Sequence, residues 1–127
     1  MRLFLICLAG AIGTGTRYAV GGLAARTLSL EFPFGTLAIN ATGSFLIGMV
    51  QQLALASSGF PETLRAAIVI GFLGGFTTYS AFSHETLELA GRGAWLSAAL
   101  YVLTTTGLCL ALCAIGMAVG RSLTGPR

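Results

Sequence analysis

The chain has 127 residues, of which 55% are hydrophobic and 9% are charged, and it carries a net charge of +3 with a mean hydropathy of +0.87. This length is that of one ordinary domain, which excludes a multi-domain enzyme, and so few charges cannot cover the surface of a soluble globule. The sequence therefore predicts an integral membrane protein, and because its arginines are scattered singly, no nucleic-acid-binding patch is expected.

Four transmembrane spans follow from the spacing of the charges. Three runs without any charge, residues 32–61, 66–84 and 93–120, are each long enough to cross a bilayer core, which takes about 20 helical residues. A further span precedes them. The expected spans are about residues 3–25, 34–57, 64–89 and 94–119. Together they predict an all-α fold, with one four-helix membrane domain over residues 1–127.

The first span contains Arg17, the deepest cation of the chain. Arg17 lies close enough to the end of its span for the guanidinium to reach the headgroups, so one interpretation is an interfacial anchor. The other is a cation that attracts anions into a vestibule. The residue pattern alone favours neither interpretation.

The second span carries a face of small and polar residues, because Thr36, Asn40 and Ser44 follow one another at a spacing of four. Polar residues inside a membrane are costly and suggest function by default. Asn40 either joins neighbouring helices, which is worth about 1 kcal/mol, or offers its amide N–H groups to an anion in a pore. The sequence leaves these two interpretations open.

The third span is expected to break near its middle. Its glycine pair, Gly74 and Gly75, is followed by two β-branched residues, Thr77 and Thr78, and both features weaken a helix. Unwound backbone at membrane depth is tolerated where protein buries it or where it lines a cavity, and its carbonyl groups could bind a cation. A continuous helix whose glycines serve packing alone is the alternative.

Aromatic and hydroxyl side chains follow the expected break. Tyr79 and Phe82 share one helix face, and Ser80 and Ser83 form a neighbouring row. Aromatic rings have a positive edge, against which a small anion could lie while hydroxyl groups replace part of its hydration. Packing in the core is the alternative role for such an aromatic pair.

The fourth span contains Tyr101 and Thr105 on one face, within a run of three threonines. Threonine hydroxyls in membrane helices usually bond back to the carbonyl group four residues earlier, so a structural role is expected for most of this run. Near the end of the third span, Glu85 and Glu88 are expected at the interface rather than in the interior.

Charge and glycine content both suggest self-association. The arginines divide almost evenly between the two sides of the membrane, a weak bias that would let the chain insert in both orientations and form an antiparallel dimer. Glycine makes up 18 of the 127 residues. The pairs Gly71/Gly75 and Gly116/Gly120 have the four-residue spacing that brings membrane helices close together, so close-packed oligomerisation is expected.

Three segments of the chain resemble the CrcB/Fluc family of fluoride channels, and the resemblance covers essentially the whole sequence. The matching segments are residues 10–18, which lead from Gly-Ala-Ile-Gly to Arg-Tyr, residues 34–45, and residues 71–85, of which the third is the most specific. The resemblance implies a dual-topology antiparallel homodimer with two separate fluoride pores. It also implies passive export of cytoplasmic fluoride across the bacterial plasma (inner) membrane.

The resemblance also implies site residues. It makes Asn40 a donor to permeating fluoride and Phe82 part of an aromatic box. Family members usually have phenylalanine at the position of Tyr79, so the first ring of the box here carries an additional hydroxyl. The implied polar track consists of Ser80, Ser83 and Tyr101.

The resemblance further implies a vestibule and an ion at the dimer axis. Arg17 matches the vestibule arginine, and Glu85 matches the family's glutamate that follows the second aromatic residue. Gly74 and Thr77 match the positions whose carbonyl groups bind a structural sodium ion, Na+, between the two subunits. The expected partners are therefore fluoride, the lipid bilayer and a second copy of the chain, without nucleic acid or nucleotide.

Other functional classes are less consistent with the sequence. With no Asp, no Lys and one histidine, the chain offers no hydrolytic triad, and enzyme activity is not expected. A small multidrug exporter would need an acidic residue in its first span, and residues 1–30 contain none. A non-transporting membrane assembly or regulatory protein would explain the glycine pairs but not the polar residues of the second and third spans.

Overall fold

A computed structural model describes residues 1–27, 31–56 and 59–124. Within these ranges all regular structure is helical: α1 (Arg2–Thr27), α2 (Phe34–Ala56), α3 (Glu62–Ala66), a π-helix (Ala67–Leu73), α4 (Gly74–Phe76), α5 (Tyr79–Gly91) and α6 (Trp95–Thr124). Four helical stretches, α1, α2, Glu62–Gly91 and α6, are long and apolar enough to cross a membrane. The predicted all-α architecture and number of spans are confirmed. Ser57, the predicted end of the second span, lies outside the described residues.

The third span changes its helical form along its length. The short helix α3 passes into the π-helix, whose wider winding is rare outside single turns, and α4 ends at Phe76. Thr77 and Thr78 are extended, with φ/ψ values of −80°/158° and −149°/116°. The helix resumes as α5 at Tyr79. The N–H of Thr77 still bonds to the Leu73 carbonyl at 2.9 Å, so Thr78 is the residue whose N–H needs a hydrogen-bond partner from outside its own helix.

Glycines bring two pairs of helices into backbone contact within the chain. A Cβ atom added to Gly75 would lie 2.5 Å from the carbonyl oxygen of Gly10, so α1 packs directly on the N-terminal half of the third span. A Cβ atom added to Gly116 would lie 2.1 Å from the carbonyl oxygen of Phe45, so α2 packs directly on α6. Both glycine pairs singled out from the sequence therefore pack helices of the same chain, as small residues do in membranes.

We expect Gly116→Ala to lower the thermal stability of the protein in detergent, because the new methyl group would force α2 and α6 apart. Overpacking of this kind typically costs about 1–3 kcal/mol. Gly107→Ala is the matched control, since it lies on the same helix and its added Cβ would meet no atom within 4 Å. Equal stability of the two variants, measured as loss of the monodisperse peak on heating, would contradict this account of the α2–α6 contact.

The small core that positions the site lies between α5 and α6. Its buried members are Phe82, Leu89, Ala98 and Tyr101. Outward-facing leucines such as Leu96 and Leu103, 74% and 69% exposed, cover the opposite face of α6. An apolar outer surface of this kind is suited to contact with lipid chains.

Candidate functional site

The side chain of Asn40 binds the backbone at the interruption of the third span. Its Nδ2 group donates to the carbonyl oxygen of Thr78 at 2.9 Å, and its Oδ1 atom accepts from the Thr78 N–H at 2.8 Å. One amide therefore satisfies both backbone groups of a residue that has left the helix. This geometry shows that Asn40 joins two spans, and its second Nδ2–H remains for another acceptor.

The hydroxyl group of Thr78 begins the helix that follows. Thr78 is the N-cap of α5, and its Oγ1 accepts from the N–H of Ala81 at 3.2 Å. The same oxygen shares a hydrogen bond of 3.2 Å with the hydroxyl of Ser80. Thr78 thereby connects Asn40 to the start of α5, so a displacement of Asn40 would disturb the aromatic residues that follow.

The carbonyl group of Gly75, in α4, accepts hydrogen bonds from two side chains of α1. Arg17 donates from Nε to the carbonyl oxygen of Gly75 at 3.0 Å, and Thr14 donates to the same oxygen at 3.5 Å. A cation at the C-terminal end of a helix also interacts favourably with the helix dipole. Arg17 is half-buried, and its Nε–H is bonded to the backbone of the third span.

The carbonyl group of Gly74 is left out of the helical hydrogen-bond pattern at the interruption. In a continuous helix the N–H of Thr78 would close onto the Gly74 carbonyl, but it is bonded to Asn40 instead. Gly74 is exposed on the surface of the chain. Among the described residues no cluster of three or more His, Cys, Asp or Glu could hold a metal ion. Backbone carbonyl oxygens are ligands that hard cations bind, and Gly74 offers one at this point.

Three aromatic rings form a continuous row beside the interruption. The centroids of Tyr79 and Phe82 are 5.6 Å apart, and those of Phe82 and Tyr101 are 5.2 Å apart, both in tilted arrangements. Phe82 and Tyr101 are buried, whereas Tyr79 is 79% exposed. The row therefore runs from the interior of the chain to its outer surface.

The carboxylate of Glu85 is held inside the chain by two hydroxyl groups. Thr36 donates from Oγ1 to Oε1 and Tyr101 donates from its hydroxyl to Oε2, both at 2.7 Å. Glu85 is half-buried, unlike Glu88, which is exposed and pairs with Arg92. Glu85 therefore has donors within the protein, whereas Glu88 forms its ion pair at the exposed surface of the chain.

We expect Tyr101→Phe to destabilise the protein, because it leaves the half-buried Glu85 carboxylate with one hydroxyl donor fewer. Hydrogen bonds to charged groups are typically worth about 1.5–3 kcal/mol. Tyr18→Phe is the control, since Tyr18 is 85% exposed and a lost hydroxyl there should leave stability unchanged. Thermal unfolding followed in detergent compares the two; a Tyr101→Phe variant as stable as the control would show that the bond contributes nothing.

Two other hydroxyl groups singled out from the sequence differ in whether they have a protein partner. Ser83 donates from Oγ to the carbonyl oxygen of Tyr79 at 2.9 Å, the bond that serines in helices commonly make four residues back. Thr105 lacks the hydrogen bond to its own helix that was expected for most of the threonine run. Its hydroxyl is buried and has no hydrogen-bond partner among the described residues, so its expected bond to the carbonyl group four residues earlier is absent.

Most of the predicted site residues line one of two cavities. One, of about 430 Å³, is lined by Asn40, Tyr79 and Phe82 together with Gly74 and Thr77. The other, of about 390 Å³, lies near the end of the bundle. Its charged lining residues include Arg17, Glu85, Glu88 and Arg92. Thr78 lines both cavities, so the extended segment separates them.

The remaining predicted track residues stand apart from these cavities. Ser80, Ser83 and Tyr101 are not among the residues that line either of them. Thr36, which was noted for its polar face but not as a site residue, lines the smaller cavity and binds Glu85. Its position one turn before Asn40 was the signal that could have identified it.

Comparison with known proteins gives full-length similarity to one family. The family model described as CrcB-like protein, Camphor Resistance (CrcB), matches residues 4–117. A protein of Geobacter sp. (strain M21) named fluoride-specific ion channel FluC is 47% identical over 122 residues, which are 96% of this chain and 98% of that protein. Proteins with the same name from Anaeromyxobacter dehalogenans and Rhizobium etli are 43% and 42% identical, and each alignment covers at least 97% of both chains.

Proposed function

The chain belongs to the CrcB family, and from this premise we propose that it is a fluoride-selective channel through which cytoplasmic fluoride leaves the cell passively. Its relatives are named as ion channels, so it is a multi-pass membrane protein and not an enzyme. The observation that carries the proposal is the cavity in which Asn40, the extended Thr78 and two aromatic rings meet, at membrane depth, in a chain similar over its full length to proteins of that name.

Fluoride in this cavity would be bound by weak donors arranged around it. The Asn40 amide supplies the N–H that Thr78 leaves unused, and the positive edges of the Tyr79 and Phe82 rings replace part of the lost hydration. Neutral donors of this kind bind an anion without holding it as tightly as a fixed cation would, which suits a conduction pathway.

The hydroxyl groups of the proposed polar track take part by exchanging partners. Ser83 and Tyr101 donate to the Tyr79 carbonyl and to Glu85, so each must release that acceptor before it donates to fluoride. Ser80 shares its bond with Thr78, in which either oxygen can be the donor. The track would thus extend the path from the aromatic rings along α5 and α6.

Arg17 gives the smaller cavity the character of an anion vestibule. Its Nε–H is bonded to Gly75, which fixes the guanidinium while its other N–H groups and its charge remain. Glu85 lines the same cavity and opposes this charge, and its bonds to Thr36 and Tyr101 turn the carboxylate toward protein donors. Glu31 and Glu88 also line this cavity, so its three carboxylates outnumber its two guanidinium groups, and only the immediate surroundings of Arg17 would attract fluoride before it passes Thr78.

The proposed assembly is an antiparallel homodimer with two pores and a structural Na+ at its axis. The exposure of Gly74 and of the Tyr79 ring, beside the extended segment, supports a partner subunit on this face. Carbonyl groups of Gly74 and Thr77 would bind the ion, whose charge offsets the partial negative charge of the helix ends. Labelling of an added loop cysteine from one side of the membrane tests the assembly: labelling of all copies from a single side would contradict dual topology.

Fluoride efflux from liposomes that contain the purified protein tests the proposed function. Vesicles loaded with fluoride and vesicles loaded with chloride are measured in parallel with ion-selective electrodes. We expect rapid release of fluoride and no release of chloride. Folded, dimeric protein that releases neither ion would contradict the channel function and favour a non-transporting assembly protein, and release of both ions would contradict selectivity.

A further inference from the structure

The cavity beside the extended segment contains a thiol that the proposed conduction mechanism does not use. Cys109 lies on α6, is half-buried and is not part of a disulfide. It lines the cavity of about 430 Å³ together with Asn40 and Phe82. The sulfur therefore belongs to the wall of the space in which fluoride is proposed to be bound.

A second residue of the same wall indicates that polar species reach this depth. Thr105 precedes Cys109 by one helical turn and lines the same cavity. Thr105 is 6% exposed, and its hydroxyl has no hydrogen-bond partner within the described ranges. A buried polar group without a partner costs about 1–3 kcal/mol, so a water molecule or an ion that reaches this hydroxyl from the cavity would be bound favourably. Such a ligand would lie next to the thiol.

We propose that Cys109 is a modification site for thiophilic metal compounds inside the conduction pathway, and that a metal bound to its sulfur blocks fluoride flux. The inference rests on the proposed channel function. With mercuric chloride, the S–H bond and one Hg–Cl bond break, an S–Hg bond forms, and the proton and chloride leave as hydrogen chloride. Mercury remains in the +2 state and no electron is transferred, so neither an oxidant nor a reductant is needed.

The chain supplies its own control thiols. Cys113 lies one turn further along α6 and is also half-buried, but it is not among the residues lining the cavity, and its carbonyl oxygen faces Gly48. Cys7 is exposed on α1. Three variants that each keep one cysteine, with serine at the other two positions, separate the effect of Cys109 from those of Cys7 and Cys113.

Fluoride efflux is measured for each variant before and after treatment with mercuric chloride, and every rate is compared with that of the same untreated protein. We expect the wild type and the variant that keeps Cys109 to fall to the rate of protein-free liposomes and to recover with dithiothreitol. The variants that keep Cys113 or Cys7 should retain their untreated rates. Intact-protein mass should show one mercury on the variant that keeps Cys109.

Undiminished flux through the variant that keeps Cys109 after mercury exposure would overturn the proposal, and so would equal block of the variants that keep Cys113 or Cys7. Absence of bound mercury on Cys109 would overturn it as well. Failure of the proposed function is distinguishable, because it would be seen as no fluoride efflux before any mercury is added. In that case the mass measurement still decides whether Cys109 is the thiol that reacts.

Discussion

Asn40→Asp should reduce fluoride efflux about a thousandfold. At an effective dielectric constant near 20, a carboxylate about 4 Å from a passing anion repels it by about 4 kcal/mol, and each 1.36 kcal/mol corresponds to a factor of ten in rate. The ionised aspartate also lacks the N–H that donates to the Thr78 carbonyl, so that two acceptors would face each other. The initial rate of fluoride efflux from liposomes, at equal amounts of folded protein, is the measurement.

Thr42→Ala is the matched control for this substitution. Thr42 lies on the same helix, two residues further along, and is exposed, so its loss should leave efflux unchanged. Size-exclusion chromatography in detergent separates a loss of conduction from a loss of fold, since Asn40→Asp also weakens a contact between two spans. Undiminished efflux from folded Asn40→Asp protein would remove Asn40 from the fluoride pathway.

The number of spans could be predicted because it depends on the lengths of the uncharged, apolar runs between charged residues. An uncharged run of sufficient length can satisfy its backbone in a membrane only as a helix, unless protein or a cavity supplies partners. The ends of the spans were less predictable than their number. The fourth span was expected to stop near residue 119, whereas α6 continues to Thr124, because a helix can extend past its apolar segment when Arg121 lies in its last turn.

The bond between Asn40 and Thr78 could not be predicted from the sequence. The two residues are 38 positions apart, and the partner is backbone, which has no side-chain signature. The pattern indicated that the Asn40 amide needs partners, and it left open whether they are protein or ion. Only the packing of α2 against the extended segment shows that the protein uses both amide atoms.

Local rules were wrong where long-range packing supplied a different environment. The expected back-bond of Thr105 is absent, and its hydroxyl lies buried toward the cavity side of α6. The partners of Glu85 likewise come from distant parts of the chain, because Thr36 and Tyr101 bring two donors to it from α2 and α6. Neither donor is near Glu85 in the sequence, so its environment depends on how three helices meet.

Gly43→Ala should reduce fluoride efflux by about tenfold or more while the protein remains in the membrane. A Cβ atom at this position would lie 2.2 Å from the Cγ2 atom of Thr77, in the extended segment. Relief of such an overlap shifts neighbouring backbone at a typical cost of about 1–3 kcal/mol. The residue that follows, Thr78, is held by Asn40, so the shift would reach the centre of the proposed pathway.

Gly43→Ala combined with Thr77→Ser should restore efflux, because serine lacks the Cγ2 atom with which the new methyl group collides. Serine keeps the hydroxyl that donates to the Leu73 carbonyl at 2.9 Å, and the next nearest atom, Cδ1 of Phe76, lies at an ordinary contact distance of 3.5 Å. Thr77→Ser alone is the control for any effect of the serine. A double variant as slow as Gly43→Ala would show that the collision with Thr77 is not the cause. Recovery would instead show that efflux depends on how closely the extended segment packs on α2, which is the contact that also brings Asn40 to Thr78.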